Sequence, residues 1–249
     1  MKIEIVKCLT DNYSYLIFDE KTLDSAVVDP SEAEPIINKI EKYNLKLKYI
    51  FNTHHHYDHV GGNKKLKEKY NCQIIGFEKD KNRIPEIDIP LKDKQKWKSE
   101  LFECSILHIP GHTSGHICIY IKELNALFTG DTLFSLGCGK IFEGTYEEMY
   151  KSLSKLKKFP LNTRIYCGHE YTKKNSDFCL SIDSKNSKLI NKINEINNNI
   201  QNENPTIPSV LRDELECNIF LRSDNMVIQK QLGINKDDPI KTFAKLRDL

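Results

Sequence analysis

Thr53-His54-His55-His56-Tyr57-Asp58-His59-Val60-Gly61-Gly62 places four of the chain's eight histidines within six positions. The segment follows the apolar run Leu47–Phe51, which reads as a strand. In extended backbone alternate side chains share a face, so His54 and His56 project together while His55 points away. Asp58 and His59 come where the chain turns into Val60-Gly61-Gly62 and form a second cluster beside the first. Imidazole with carboxylate is the donor chemistry of zinc, iron and manganese. A lone histidine on such a strand is more often structural, but H-x-H-x-D-H is a metal-site pattern.

Three later segments repeat one design. Ile106–Ile109 leads through Pro110 to Gly111-His112, Ala126–Phe128 leads to Gly130-Asp131, and Arg164–Cys167 leads to Gly168-His169. Each sets a donor side chain at a strand end, where loops on a rigid scaffold carry function. With the first cluster they bring the donors to seven: His54, His56, Asp58, His59, His112, Asp131 and His169. A four-coordinate ion cannot use that many, so the count argues for two metals sharing a bridge. His55, His108 and His116 fall outside the set and read as packing or orienting groups.

The remaining features bound the class. In 249 residues, 37 Lys and Arg stand against 35 Asp and Glu, a balance that gives no field for nucleic acid or an anionic membrane. No apolar run approaches the roughly 20 residues of a membrane span. The N-terminal Met-Lys-Ile-Glu-Ile-Val-Lys-Cys alternates like a strand and has no apolar secretory core. The eight cysteines contain no C-x-x-C pair and read as reduced thiols in the cytoplasm rather than as disulfides.

Interleaved strand and helix patterns fill the first two-thirds of the chain. Strands are expected at Lys2–Cys8, Tyr13–Phe18, Ser25–Val28, Gln73–Phe77 and His116–Ile121, and helices at 31–43, Val60–Tyr70 and Tyr146–Leu156. After about Thr172 strand signals fade. Ile190, Ile193, Ile196 and Ile200 follow helical spacing, and shorter apolar patterns occur at Val210–Leu215, Met226–Leu232 and Ile240–Leu246. The organisation is therefore α+β, with a mixed strand and helix domain over residues 1–173 and a helical module over 174–249.

Thr-His-His-His-Tyr-Asp-His (53–59), Gly-His-Thr-Ser-Gly-His (111–116), Thr-Gly-Asp-Thr (129–132) and Gly-His-Glu-Tyr-Thr (168–172) resemble the metallo-β-lactamase superfamily. Leu-Gly-Cys-Gly-Lys-Ile-Phe-Glu-Gly at 136–144 and the ending Asp-Pro-Ile-Lys-Thr-Phe-Ala-Lys-Leu-Arg look like its hydroxyacylglutathione hydrolase (glyoxalase II) branch. The resemblance implies an αββα sandwich followed by helices, and two divalent ions per chain, zinc foremost, with iron or manganese as alternatives. It assigns His54, His56 and His112 to one ion, Asp58, His59 and His169 to the other, and Asp131 to both. It further implies that hydroxide bridging the metals attacks the thioester carbonyl of S-(2-hydroxyacyl)glutathione, typified by S-D-lactoylglutathione, in methylglyoxal detoxification. Asp58 would steer this nucleophile.

For the glutathione half, the resemblance points to Lys140 in the Gly-Cys-Gly-Lys loop, Tyr171 and Asn175 after the last metal histidine, and Arg247 in the tail. Two departures stand out: Phe142 occupies a position where many relatives carry tyrosine, and only two residues follow Arg247. Other readings fit less well. A mononuclear iron persulfide dioxygenase and a β-lactamase are disfavoured by the helical tail, a silent binding protein by the complete donor set, and a nuclease by the balanced charge. A monomer is expected, since the tail shows no self-complementary apolar stripe.

Overall fold

The computed structural model describes residues 1–234 and 237–249, and the chain divides into two compact units. The first unit comprises Met1–His108 and Gly115–Gly130, the second Ile109–Ser114 and Asp131–Leu249.

The first unit opens with strands β1 (Lys2–Cys8), β2 (Asn12–Phe18) and β3 (Asp24–Val28), helix α1 (Ala33–Tyr43) and strand β4 (Lys46–Phe51). Helices α2 (Tyr57–Val60) and α3 (Asn63–Tyr70) and strands β5 (Gln73–Phe77) and β6 (Ile89–Leu91) complete its first sheet, ordered β1-β2-β3-β4-β5-β6. Pairing is antiparallel from β1 to β3 and parallel from β3 to β6. The direction changes because short turns join the first three strands, whereas helices carry the chain between β3 and β4 and between β4 and β5. Helix α1 lays Ile36, Ile37 and Ile40 into a core with Val6, Leu16, Val27, Ile50 and Ile74. Leu66 of α3 is fully buried in the same cluster.

Strands β7 (Lys96–Lys98), β8 (Glu103–His108), β9 (Ile117–Ile121) and β10 (Ala126–Gly130) form an antiparallel meander in the same unit. Aromatic contacts join it to the first sheet. Phe51 of β4 lies 5.1 Å from Trp97 and 5.7 Å from Phe102, and Tyr15 of β2 lies 5.4 Å from Phe128. Two sheets meeting across such rings exclude water from the face between them. The expected single helix over Val60–Tyr70 is in fact two, separated at Gly61-Gly62, where Gly62 N–H donates to the Pro30 carbonyl at 2.8 Å. Diverting that amide to the β3–α1 loop stops one helix and starts the next.

The second unit holds a two-stranded hairpin, β11 (Leu133–Phe134) with β12 (Gly137–Cys138), then α4 (Tyr146–Leu156) and β13 (Arg164–Cys167). Helices α5 (Thr172–Ile182) and α6 (Ser187–Gln201), strand β14 (Ser209–Val210), and helices α7 (Leu211–Cys217), α8 (Met226–Gln231) and α9 (Pro239–Asp248) follow. Local chemistry sets the helix starts. Thr145 and Glu148 close a reciprocal capping box on α4, Asn186 and Asn225 cap α6 and α8, and Asp238 with Pro239 opens α9. Lys192 of α6 ties the helices together through Asp213 of α7 at 2.7 Å. Among the described residues all eight cysteines are buried thiols rather than disulfides. Burial pushes Cys104, Cys138, Cys167, Cys179 and Cys217 up to about 12, which leaves them protonated and poor nucleophiles.

Glu214 of α7 is fully buried, and loss of solvent pushes its carboxyl up to about 7. The Asn218 amide, the Leu136 N–H, the Ser209 hydroxyl and the Lys192 charge pull it partly back. Because the folded value lies above the unfolded one, the protein is most stable below the unfolded value, and stability is lost as pH rises through the folded value. A carboxyl titrating at about 7 when folded and 4.5 when unfolded costs about 3 kcal/mol once both states are ionised. Urea denaturation at pH 5 and pH 8 should therefore show Glu214→Gln gaining stability over the parent by up to about this amount at the higher pH. Parallel pH dependence of the two proteins would remove Glu214 as the cause.

Candidate metal centre

In the first unit the residues expected to ligate metal leave the end of β4, and a second strand end supplies what orients them. Asp29 follows β3 and sits in the left-handed region at φ 49°, held by the Phe51 carbonyl, which accepts its N–H, and by the Ser14 hydroxyl, which donates to its carbonyl. A non-glycine residue in this region costs conformational energy, and here the conformation turns the carboxylate toward residues 53 and 59. Asp29 Oδ1 accepts the Thr53 N–H at 2.7 Å, while Oδ2 accepts the Thr53 hydroxyl at 2.6 Å and faces His59 Nδ1 at 3.0 Å. Since the Thr53 hydroxyl donates to Asp29, its oxygen is left to accept from His54 Nδ1, 3.1 Å away.

Both histidines are thus held through Nδ1–H, the tautomer that leaves Nε2 as the metal-binding nitrogen. This donor chemistry fits a metal. Asp29, His54 and His59 also place ligand atoms close together, but the donors already gathered on Asp29 make it an orienting group rather than a ligand. The His56 ring lies 4.7 Å from His54. Asp58 is anchored by Asn12, whose Nδ2 donates to the Asp58 carboxylate at 3.0 Å and to its carbonyl at 3.1 Å. Below the loop, the buried Asn52 and Asn63 exchange amide hydrogen bonds, and Asn52 donates to the His59 carbonyl at 3.0 Å.

The histidines expected outside the ligand set have distinct surroundings. His116 stacks on His54 at 4.6 Å, His55 faces the buried Asp80 at 3.3 Å, and His108 stacks on Phe77 at 4.6 Å. Gly130, at φ 46°, closes β10 against this layer; a Cβ there would come within 2.4 Å of the Thr53 hydroxyl and 2.8 Å of the His116 ring. Only glycine allows both that turn and that approach.

In the second unit Asp131 Oδ2 lies between two imidazoles, 3.5 Å from His112 Nε2 and 3.2 Å from His169 Nε2. His112 Nδ1 donates to the Lys140 carbonyl at 2.8 Å, so this imidazole is also held in the tautomer that presents Nε2. Tyr171 stacks flat on His169, with centroids 4.8 Å apart and planes within 5°.

The residues expected to meet glutathione all belong to this unit. The Lys140 side chain is exposed, and Phe142 is exposed with its ring 5.2 Å from His112. The Arg247 guanidinium lies 5.6 Å over the Phe220 ring. Asn175 directs its amide into the protein, donating to the Ser135 carbonyl at 2.9 Å.

Sequence reasoning passed over Asp29, Thr53 and Asn12. For Asp29 a signal existed: Ala26-Val27-Val28-Asp29 is an apolar strand ending in a donor, the same design that singled out Asp131.

Comparison with known proteins bears on the same residues. Residues 10–91 and 101–169 match the metallo-β-lactamase superfamily model, and residues 170–249 match the model for the hydroxyacylglutathione hydrolase C-terminus. A hydroxyacylglutathione hydrolase of Pelagibacter ubique is 56% identical over the whole of this chain and 98% of that protein. The chain belongs to the hydroxyacylglutathione hydrolase family. Within the family, a cytoplasmic enzyme of that name from Arabidopsis thaliana is 45% identical across 100% of this chain and 97% of its own. The crystal structure of ETHE1 from Myxococcus xanthus shares the fold, with a TM-score of 0.69 at 20% identity over 98% of this chain and 100% of that one. The expected architecture is therefore met: the αββα metallo-β-lactamase fold with C-terminal helices, in a family of hydrolases.

Hydrogen bonds to ligating histidines typically carry about 10–100-fold of a site's metal affinity. Competition against a chromophoric zinc chelator should show a loss of that size for Asp29→Asn, which weakens the hold on His54 and His59 while leaving every ligand in place. Parental affinity in the variant would mean that Asp29 does not orient them.

Proposed function

We propose that this chain hydrolyses S-(2-hydroxyacyl)glutathione, typified by S-D-lactoylglutathione, to glutathione and a 2-hydroxy acid such as D-lactate, the second step of methylglyoxal detoxification. The observation that carries this reading is the match of residues 170–249 to the hydroxyacylglutathione hydrolase C-terminus, joined to full-length identity with enzymes of that name. We assign two divalent ions to the chain, His54, His56 and His112 serving one and Asp58, His59 and His169 the other. The carboxylate of Asp131, set between the imidazoles of His112 and His169, is the group suited to serve both. Zinc suits these neutral nitrogen and carboxylate donors, and iron or manganese accepts the same set. When bound, a pair of such ions supplies hydroxide near neutral pH and stabilises negative charge on a carbonyl oxygen.

The remaining tasks fall to side chains. Asp58, steadied by Asn12, holds an acceptor oxygen at the His-rich loop and orients the nucleophile through it. Lys140 and Arg247 are fixed cations for the two carboxylates of glutathione, and Tyr171 offers a hydroxyl donor from a ring locked against His169. Asn175 serves this half of the substrate by holding the Ser135 backbone. The leaving group is a thiolate of modest basicity, so no strong general acid is required. Residues 1–173 do the chemistry and 174–249 recognise the thiol, in a cytoplasmic monomer that engages neither nucleic acid nor membrane.

Loss of thioester absorbance on S-D-lactoylglutathione, read beside metal content on the same sample, tests the reading. The parent should hydrolyse the thioester with about two metals per chain, and Asp131→Ala should lower kcat by at least about 100-fold. Lys140→Ala should instead raise KM about tenfold with little change in kcat. Two bound metals without hydrolysis would retire the substrate assignment.

A further inference from the structure

Lys140 and Phe142 follow directly on the hairpin of β11 and β12. The two-residue turn of this hairpin, Ser135-Leu136, takes Leu136 into the left-handed region at φ 56°, which costs a leucine conformational energy and needs support from its surroundings. Those surroundings are polar side chains of the tail helices directed at main-chain atoms. Glu214 Oε2 accepts the Leu136 N–H at 2.9 Å, and Asn218 Nδ2 bridges the same carboxylate oxygen at 2.9 Å and the Gly137 carbonyl at 3.0 Å. From α5, Cys179 Sγ donates to the Leu136 carbonyl at 3.1 Å and Asn175 Nδ2 to the Ser135 carbonyl at 2.9 Å. A Cβ on Gly137 would meet the Asn175 amide at 2.4 Å, so this loop and α5 are in direct contact. Glu214 is the one charged member of the set and has no exposed surface. The expected catalytic chemistry makes no use of it.

We propose that Glu214 is a positioning residue for the thiol half of the substrate: its buried carboxylate holds the 134–139 backbone in the left-handed turn and so fixes the place from which Lys140 and Phe142 reach glutathione. The proposal rests on the reading that this loop binds glutathione. An ionised acceptor makes hydrogen bonds roughly twice as strong as a neutral one, so the grip is firm when Glu214 is charged and looser when it is protonated. Its titration lies near neutrality, through burial. The titratable groups that face it are Lys192 of α6, Cys217 on its own helix α7, Cys179 of α5 and Cys167 of β13. The thiols stay protonated through this range, and Lys192 keeps its charge beside Asp213 and Glu195. Glu214 is thus the group of this cluster that changes charge between pH 6 and pH 8.

Metal-loaded full-length parent, Glu214→Gln and Glu214→Ala are compared at pH 6 and pH 8. KM and kcat are read on S-D-lactoylglutathione, and Kd by calorimetry on S-methylglutathione, which is not hydrolysed. Glutamine keeps an acceptor oxygen but carries no charge, so it copies the protonated state. The expected result is a parent Kd that tightens about threefold from pH 6 to pH 8, with KM following it, and a Gln variant fixed near the acid-side value at both. The Ala variant should lose about tenfold in Kd at both pH values; should it fail to fold, the Gln variant decides alone. Gln and parent sharing one Kd and KM at both pH values overturns the proposal even if the parent is an active hydrolase. A parent that binds S-methylglutathione without hydrolysing S-D-lactoylglutathione separates the cases, sinking the substrate reading while the Kd comparison still decides Glu214. A parent that binds no S-methylglutathione overturns both.

Discussion

The carboxylate of Asp29 is the interaction around which the first unit's histidine loop is arranged. Burying a carboxylate costs several kcal/mol unless donors surround it. Here the Thr53 N–H, the Thr53 hydroxyl and His59 Nδ1 supply those donors. Two of these contacts propagate to imidazoles, directly to His59 and through the Thr53 hydroxyl to His54. The same bonds that make the buried charge tolerable therefore set the tautomers of two expected ligands. The left-handed backbone at Asp29 and the glycine at 130 follow from this, one to aim the carboxylate and the other to leave room for Thr53 and His116.

The second unit reaches the same end with main-chain oxygen in place of a carboxylate. His112 is held through the Lys140 carbonyl, and Lys140 continues a loop fastened by Glu214, Asn218, Asn175 and Cys179. A histidine expected to bind metal and a lysine expected to bind glutathione thus share one peptide segment. Displacement of that segment would act on the hydrolytic and recognition halves together, which is a physical reason for gathering so many side-chain to backbone bonds on so few residues.

Legibility in the sequence divided along the same line. Elements built on apolar periodicity were plain: β1, β5, β13 and α4 lie where alternation and helical spacing put them. Helix α5 was not, because its buried face is Thr172, Ser176 and Cys179, small and polar residues that carry no apolar signal at helical spacing. Strands β6 and β7 are three residues each and too short to show a period. Within the site, residues whose own chemistry binds metal announced themselves through H-x-H-x-D-H and the glycine-donor endings. Residues that act through others did not, since Asp29, Asn12, Glu214 and Asn218 take their meaning from partners between 24 and 81 positions away. Spacing in a single sequence cannot encode such pairs; only the folded backbone brings them together.

Glu214 also shows why stability and function need not favour the same residue. Burial sets its titration near neutrality, so at pH 8 the folded chain carries an ionised group that it would be more stable without. A leucine or a glutamine would relieve that cost. Neither would offer the Leu136 N–H and the Asn218 amide a charged acceptor, and leucine would leave a buried N–H unsatisfied at a left-handed turn. A destabilising carboxylate is the expected solution where a strained turn must be held in one conformation.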